Sequence, residues 1–187
     1  MKKNILITLL IFFYTFKIFA NEPKLDQIIN GLDNPWSLTF VDNENVLITE
    51  KSGNLLLVNL SNKNIRKIKH NLNILEDGQG GLLEVLYYKD QVFVSYTEDQ
   101  KKGYSSTSVA KAEFNDLELN FENIFRAEPP INSGYHFGSR LVIKDDFIYI
   151  TAGERGEGMI AQDPKKHPGS IIRIHLDGKI PKDNPKF

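Results

Sequence analysis

Trp36-Ser37-Leu38-Thr39-Phe40-Val41 alternates bulky apolar with small polar side chains, the period of two that a half-buried strand requires. Asp42-Asn43-Glu44-Asn45 breaks the pattern as a turn, and Val46-Leu47-Ile48-Thr49-Glu50 resumes it. Ser52-Gly53-Asn54 turns the chain again, before Leu55-Leu56-Leu57-Val58-Asn59-Leu60 and a fourth short strand, Asn64-Ile65-Arg66-Lys67-Ile68. The same order recurs further along. Leu82 to Tyr87, a Lys89-Asp90 turn, Val92 to Tyr96 and Ser108 to Phe114 form a second copy. Arg140 to Ile143, an Asp145-Asp146 turn, Phe147 to Thr151 and Ile171 to Leu176 form a third. The copies start roughly 45 to 60 residues apart, the spacing of β-propeller blades. A sandwich or barrel also has short strands but does not repeat their order in this way.

The fold class is therefore all-β, a partial β-propeller of about three blades within residues 21–187. Propellers close with about four blades or more, and an open stack leaves unpaired strand edges. The sequence runs out in Ile180-Pro181-Lys182-Asp183-Asn184-Pro185-Lys186-Phe187, a polar, proline-rich loop with no closing strand. The expectation is that a missing C-terminal half or a second chain completes the ring.

Ahead of the strands, Met1-Lys2-Lys3-Asn4 is a basic head, Ile5 to Phe16 an apolar run, and Ala20 a small residue before Asn21-Glu22-Pro23. That layout predicts a secretory signal peptide over residues 1–20, cleaved after Ala20, and so a periplasmic or secreted protein. The run is shorter than the ~20 apolar residues of a membrane span. With no cysteine in the chain there is no lipoprotein anchor, no disulfide, no thiolate metal site and no thiol catalysis. The net charge of −1 becomes more negative once Lys2, Lys3 and Lys17 leave with the leader, which argues against a nucleic-acid partner.

Several blocks carry a further signal in their order. They are Gly31-Leu32-Asp33-Asn34-Pro35-Trp36, Leu47-Ile48-Thr49-Glu50-Lys51-Ser52-Gly53 and Asp77-Gly78-Gln79-Gly80-Gly81-Leu82. Tyr135-His136-Phe137-Gly138-Ser139-Arg140-Leu141 and Ile150-Thr151-Ala152-Gly153-Glu154-Arg155-Gly156 follow, then Gly169 to Ile174 and Asp177 to Pro185. From about Gly31 onward this resembles the glucose/sorbosone dehydrogenase family, the soluble PQQ-dependent aldose dehydrogenases.

The resemblance implies a six-bladed propeller that binds pyrroloquinoline quinone (PQQ), with calcium assisting, and oxidises an aldose hydroxyl, usually at the anomeric carbon. It implies His136 as the general base, and an imidazole of ordinary pKa near 6.5 suits that task near neutral pH. It places Gln79 beside quinone and sugar, where an amide can donate to an oxygen gaining negative charge. Gly78, Gly80 and Gly81 let the backbone turn tightly there. Arg140 is the third candidate, reaching a cofactor carboxylate or pairing with a blade acid such as Glu154.

Some positions depart from the family pattern. Tyr135 stands where glucose-oxidising members carry an acid, and Tyr87-Tyr88-Lys89 replaces a His-Pro pair. The cations that clamp PQQ, and most calcium ligands, fall in the family's other half.

Other readings stay open. His136 and the Asp77-Gly78-Gln79-Gly80-Gly81 stretch also suit ordinary turns. A non-catalytic propeller piece or a carbohydrate-binding module fits the same pattern. His70, His167 and His175 lack metal-ligand spacing and are expected on the solvated surface. Gly153 to Gly158 lacks the lysine and helix of a phosphate loop, and Phe93, Tyr96, Phe147 and Tyr149 are expected in blade packing.

Overall fold

The computed structural model describes residues 23–185, so the predicted leader lies outside the described residues. Strands β1 (Pro35–Phe40), β2 (Asn45–Glu50), β3 (Leu55–Asn59) and β4 (Ile65–His70) cross the first sheet in sequence order. The second sheet holds β5 (Leu82–Tyr88), β6 (Gln91–Asp99), β7 (Ser105–Glu113) and β9 (Glu122–Arg126). Between the last two, the short β8 (Glu118–Leu119) runs parallel to β4 and stitches the second repeat onto the first sheet. The third sheet holds β10 (Gly138–Lys144), β11 (Phe147–Ala152) and β12 (Ser170–His175), with a 3-10 turn at Gly158–Gln162 in the connection. Neighbours follow one another antiparallel within each four- or three-strand run.

The first strands of the three sheets lie side by side, β1 against β5 and β5 against β10. Three sheets sharing an inner edge of first strands are three consecutive propeller blades. Apolar side chains fill both seams. Leu47, Leu55 and Ile68 of blade one pack with Val85, Val92 and Val94 of blade two. Phe93 and Val109 of blade two pack with Leu141, Ile148, Ile150 and Ile174 of blade three.

One hydroxyl per blade joins seam to sheet. Every first strand carries a bulge, between Pro35 and Ser37, Leu82 and Val85, and Gly138 and Leu141. A bulge leaves an inner-strand N–H outside the ladder, and the second strand supplies its acceptor. Thr49 Oγ1 accepts from Ser37 N–H at 3.1 Å, Ser95 Oγ from Glu84 N–H at 3.0 Å, and Thr151 Oγ1 from Arg140 N–H at 2.9 Å. The same hydroxyl then donates across the seam. Thr49 reaches the Leu83 carbonyl at 2.5 Å, and Ser95 the Ser139 carbonyl at 2.6 Å.

Strands β8 and β9 escaped the sequence reading. Each is an outer strand with solvent close by, and Glu122–Arg126 reads ENIFR with no residue fully buried. β8 buries only Leu119, and β9 packs the adjacent Ile124 and Phe125 against the core, so neither shows the period-two alternation of the other strands.

Candidate functional site

The glycine-rich turn before β5 and the loop before β10 meet at the end of the inner strands. Gln79 N–H donates to the Gly134 carbonyl at 2.7 Å, and the Gln79 side-chain Oε1 accepts from His136 N–H at 2.9 Å. These two bonds fix the loop to the turn. The close approach requires glycine at Gly78, whose φ is +53° and where a Cβ would sit 2.3 Å from the Gly134 carbonyl oxygen. The two residues proposed from sequence as base and amide are thus in direct contact, though Gln79 uses its carbonyl oxygen on the loop backbone. Its amide nitrogen remains the group that can face a ligand.

His136 takes a left-handed backbone, φ +49°, which aims its ring at Glu154. Its Nδ1–H donates to Glu154 Oε1, an acceptor also reached by Gly156 N–H at 3.3 Å. The bond from His136, helped by backbone donors, holds the Glu154 carboxyl below its ordinary value. A carboxylate on Nδ1 fixes the tautomer and leaves the Nε2 lone pair on the half-exposed side of the ring as a base. Gly153 is indispensable to this geometry, since a Cβ there would lie 1.8 Å from the His136 carbonyl oxygen.

Arg155 holds the loop from beneath, and nothing in the sequence reading singled it out. It is buried, with its guanidinium 3.6 Å from the Phe137 ring centroid. Nε donates to the Tyr135 carbonyl at 3.0 Å, Nη1 to the Ser105 carbonyl at 3.0 Å, and Nη2 to Ser105 Oγ and the Ser133 carbonyl. Burial lowers its pKa to about 10, against an opposing pull from Asp77, so it is still a cation at neutral pH. Two of its acceptors, the Ser133 and Tyr135 carbonyls, lie just ahead of His136 on the loop, which makes Arg155 a positioning residue for the base. The legible signal was its place between Gly153 and Gly156, where the chain bends enough to bury a side chain.

Arg140 stands elsewhere. Its partner acid is Glu84, at 2.7 Å, and not Glu154, which is occupied by His136. Glu84 also accepts from Ser37 Oγ at 2.5 Å, and the Arg140 guanidinium lies 4.5 Å from the Trp36 ring centroid. Ser37, Glu84 and Arg140 occupy the same position on successive inner strands, so the chain of contacts laces the three blades together. The bulge in β10 turns Arg140 along this row and away from the His136 loop.

The other histidines are not the solvated residues expected. His70 Nε2–H donates to the Gly53 carbonyl at 2.8 Å while Nδ1 accepts from Leu72 N–H. His167 Nδ1 accepts from Glu128 N–H at 2.9 Å and packs edge-on against Phe125. His175 lies over Phe147, centroids 4.8 Å apart. His70 and His167 tether turns through their ring nitrogens, and His175 packs at the end of its strand.

PQQ, a quinone with three carboxylates, fits only part of what these residues offer. Gln79 and His136 suit its polar, reacting edge. The nearby cations do not suit its carboxylates, because Arg155 is saturated by protein oxygens and Arg140 is tied to Glu84. For calcium there is no fit, since no three His, Asp or Glu side chains converge among the described residues.

Against known proteins, the Glucose / Sorbosone dehydrogenase family model matches residues 32–187. The chain belongs to that family. It is 33% identical over 172 residues to the aldose sugar dehydrogenase YliI of Escherichia coli, covering 87% of this chain and 46% of the relative. With the quinoprotein glucose dehydrogenase B of Acinetobacter calcoaceticus it shares 27% identity over 210 residues, 90% of this chain and 43% of the relative. The crystal structure of the soluble aldose sugar dehydrogenase of Escherichia coli in its apo form matches with a TM-score of 0.81 and 31% identity, over 86% of this chain and 49% of that one. The chain thus spans just under half the length of these relatives.

Proposed function

We propose that this chain carries the base-bearing side of a PQQ-dependent aldose dehydrogenase site. One observation supports the reading above others: a histidine locked by a carboxylate on Nδ1, with Nε2 free, on a loop pinned by Gln79. His136 Nε2 accepts the proton of the anomeric hydroxyl, and Glu154 stabilises the imidazolium that results. PQQ, when bound, supplies the two-electron acceptor for the hydride. Gln79 lies beside the reacting edge. The carboxylate clamp and the calcium ligands belong to blades beyond these three, in a further half of the polypeptide or a second chain. The basic head and apolar run at the N-terminus support export to the periplasm or medium with cleavage after Ala20.

The test is dye-linked oxidation of aldoses by the chain supplied with PQQ and calcium, and by His136→Asn. Turnover that falls at least about hundredfold in the variant is the expected result; full turnover in His136→Asn overturns it. A second reading, a non-catalytic sugar-binding propeller piece, draws on the internal pairing of Arg140 and Arg155. Sugar binding without any quinone absorbance change would favour it.

A further inference from the structure

A separate cleft opens beside the His136 loop. It lies between the tip of the β6–β7 hairpin, the segment leading to the base and the 3-10 turn, and holds about 290 Å3. Pro130, Ile131 and Ile160 supply its apolar lining, and Tyr104, Asn132 and Glu157 its polar groups. Blades two and three contribute every one of these residues, and the seam between those blades is filled.

The walls are set by the backbone. Ser105 and Ile131 exchange two hydrogen bonds, at 3.1 and 3.0 Å, which puts Tyr104 opposite Asn132 as the next cross-strand pair. Side chains so paired share one face of the ribbon, while Ser105, on the other, meets Arg155. Gly103 permits the close approach. Its φ is +80°, and a Cβ there would sit 3.3 Å from Asn132 Nδ2, so the hairpin backbone lies against the amide. Glu157 comes from the loop that carries Glu154, and its N–H closes a turn on the Glu154 carbonyl at 3.0 Å.

Three polar side chains here serve no contact within the fold. Tyr104 is 47% exposed. Among the described residues its hydroxyl, the Asn132 amide and the Glu157 carboxylate have no side-chain partner, and Glu157 does not cap the 3-10 turn that it precedes. An aromatic face, an amide that donates and accepts, and a carboxylate that accepts together suit a pyranose. The C–H bonds of the sugar pack on the ring, and its hydroxyls bond to the other two groups. An anionic ligand would meet Glu157 and is disfavoured. The volume falls at the ~300 Å3 lower end of ligand sites, room for one sugar ring.

Short connections tie the cleft to the base. The turn from Glu154 to Glu157 keeps their Cα atoms within ~7 Å, and the stretch from Asn132 to His136 spans at most ~14 Å. We infer that the cleft is a second sugar subsite, holding the next ring of a reducing disaccharide whose anomeric hydroxyl lies at His136 Nε2. Tyr104 stacks on the C–H face of that ring, and Asn132 and Glu157 take its hydroxyls. The cleft as a pyranose site stands on its own walls, while its link to the oxidised ring rests on the dehydrogenase reading.

Saturation-transfer NMR on the 187-residue chain tests it. The probes are maltose and methyl glucoside, which has no oxidisable anomeric hydroxyl. Tyr104→Ala and Glu157→Gln change exposed loop residues and should leave circular dichroism unchanged. Methyl glucoside should bind, at least tenfold more weakly in Tyr104→Ala and about threefold in Glu157→Gln, and equally well in His136→Asn. Maltose should bind about tenfold more tightly than methyl glucoside, an advantage that His136→Asn lowers. No binding of either sugar, or binding indifferent to both cleft variants, would overturn the subsite. Maltose no tighter than methyl glucoside would overturn its link to His136. Cleft binding without dye-linked turnover would count against the dehydrogenase reading alone, and glucose turnover without cleft binding against the subsite alone.

Discussion

Blades two and three are built on one register, yet β6 is buried along nearly its whole length and β11 on alternate residues only. Phe93 and Tyr149 hold equivalent positions, the first fully buried in the seam and the second half-exposed on an open face. Blade two has neighbours on both sides, blade three on one. A propeller strand's burial is thus decided by the next blade as much as by its own sequence, and alternation alone does not reveal how many faces are covered.

Substituting the equivalent aromatics sharpens the contrast most. Phe93→Ala should cost about 3–5 kcal/mol in denaturant unfolding, and Tyr149→Ala under about 1 kcal/mol. Equal costs at the two positions would show that the face of Tyr149 is covered as fully as the seam. Next in size is the support beneath the base. Arg155→Met leaves the Ser133 and Tyr135 carbonyls without that donor, and Ser105 with Ile131 N–H alone, and should lower stability by about 2–4 kcal/mol. Arg155→Lys should recover much of that, while the His136 imidazole, followed by NMR, no longer holds one tautomer. A single retained tautomer in both variants would show that Arg155 does not position the base.

Smaller again is the seam hydroxyl. Ser95→Ala removes a buried donor and acceptor together and should cost about 1–2 kcal/mol, against a few tenths for Thr151→Ser. The smallest effect concerns pH. Burial raises the Glu98 carboxyl, but hydrogen bonds from Arg126 and Ser108 outweigh it and hold the group below its ordinary value. A folded pKa below the unfolded one adds stability above the unfolded pKa and loses it as pH falls through the folded value. Glu98→Gln should therefore flatten the acid side of the stability profile below about pH 4.5 and leave neutral pH less stable. An unchanged acid limb would mean the pair in blade two contributes as little as an exposed one.

Residues whose neighbours are near in sequence were the legible ones. The strand order and the turns at Asp42–Asn45 and Asp145-Asp146 followed from local pattern, whereas Gln79 and His136, 57 residues apart, were singled out only by the family resemblance. Partners chosen by the bulges did not. Glu154 and Arg155 are adjacent in sequence, yet one faces the base and the other is buried, because left-handed backbone at His136 and Arg155 reverses the chain on both sides. The acid assigned to Arg140 went astray for the same reason, since the position one blade earlier, and not the nearer Glu154, faces it. Outer strands such as β9, with Ile124 and Phe125 adjacent, offered no apolar alternation.

The acceptors of the blade-to-blade bonds at Leu83 and Ser139 are main-chain carbonyls, which every amino acid provides. Mutation can therefore rewrite those two positions without erasing the join, provided a threonine or serine persists on the neighbouring strand. A gene duplication or deletion of one whole repeat would likewise leave each remaining junction chemically intact, so that circumference can drift over evolutionary time while the manner of joining stays fixed.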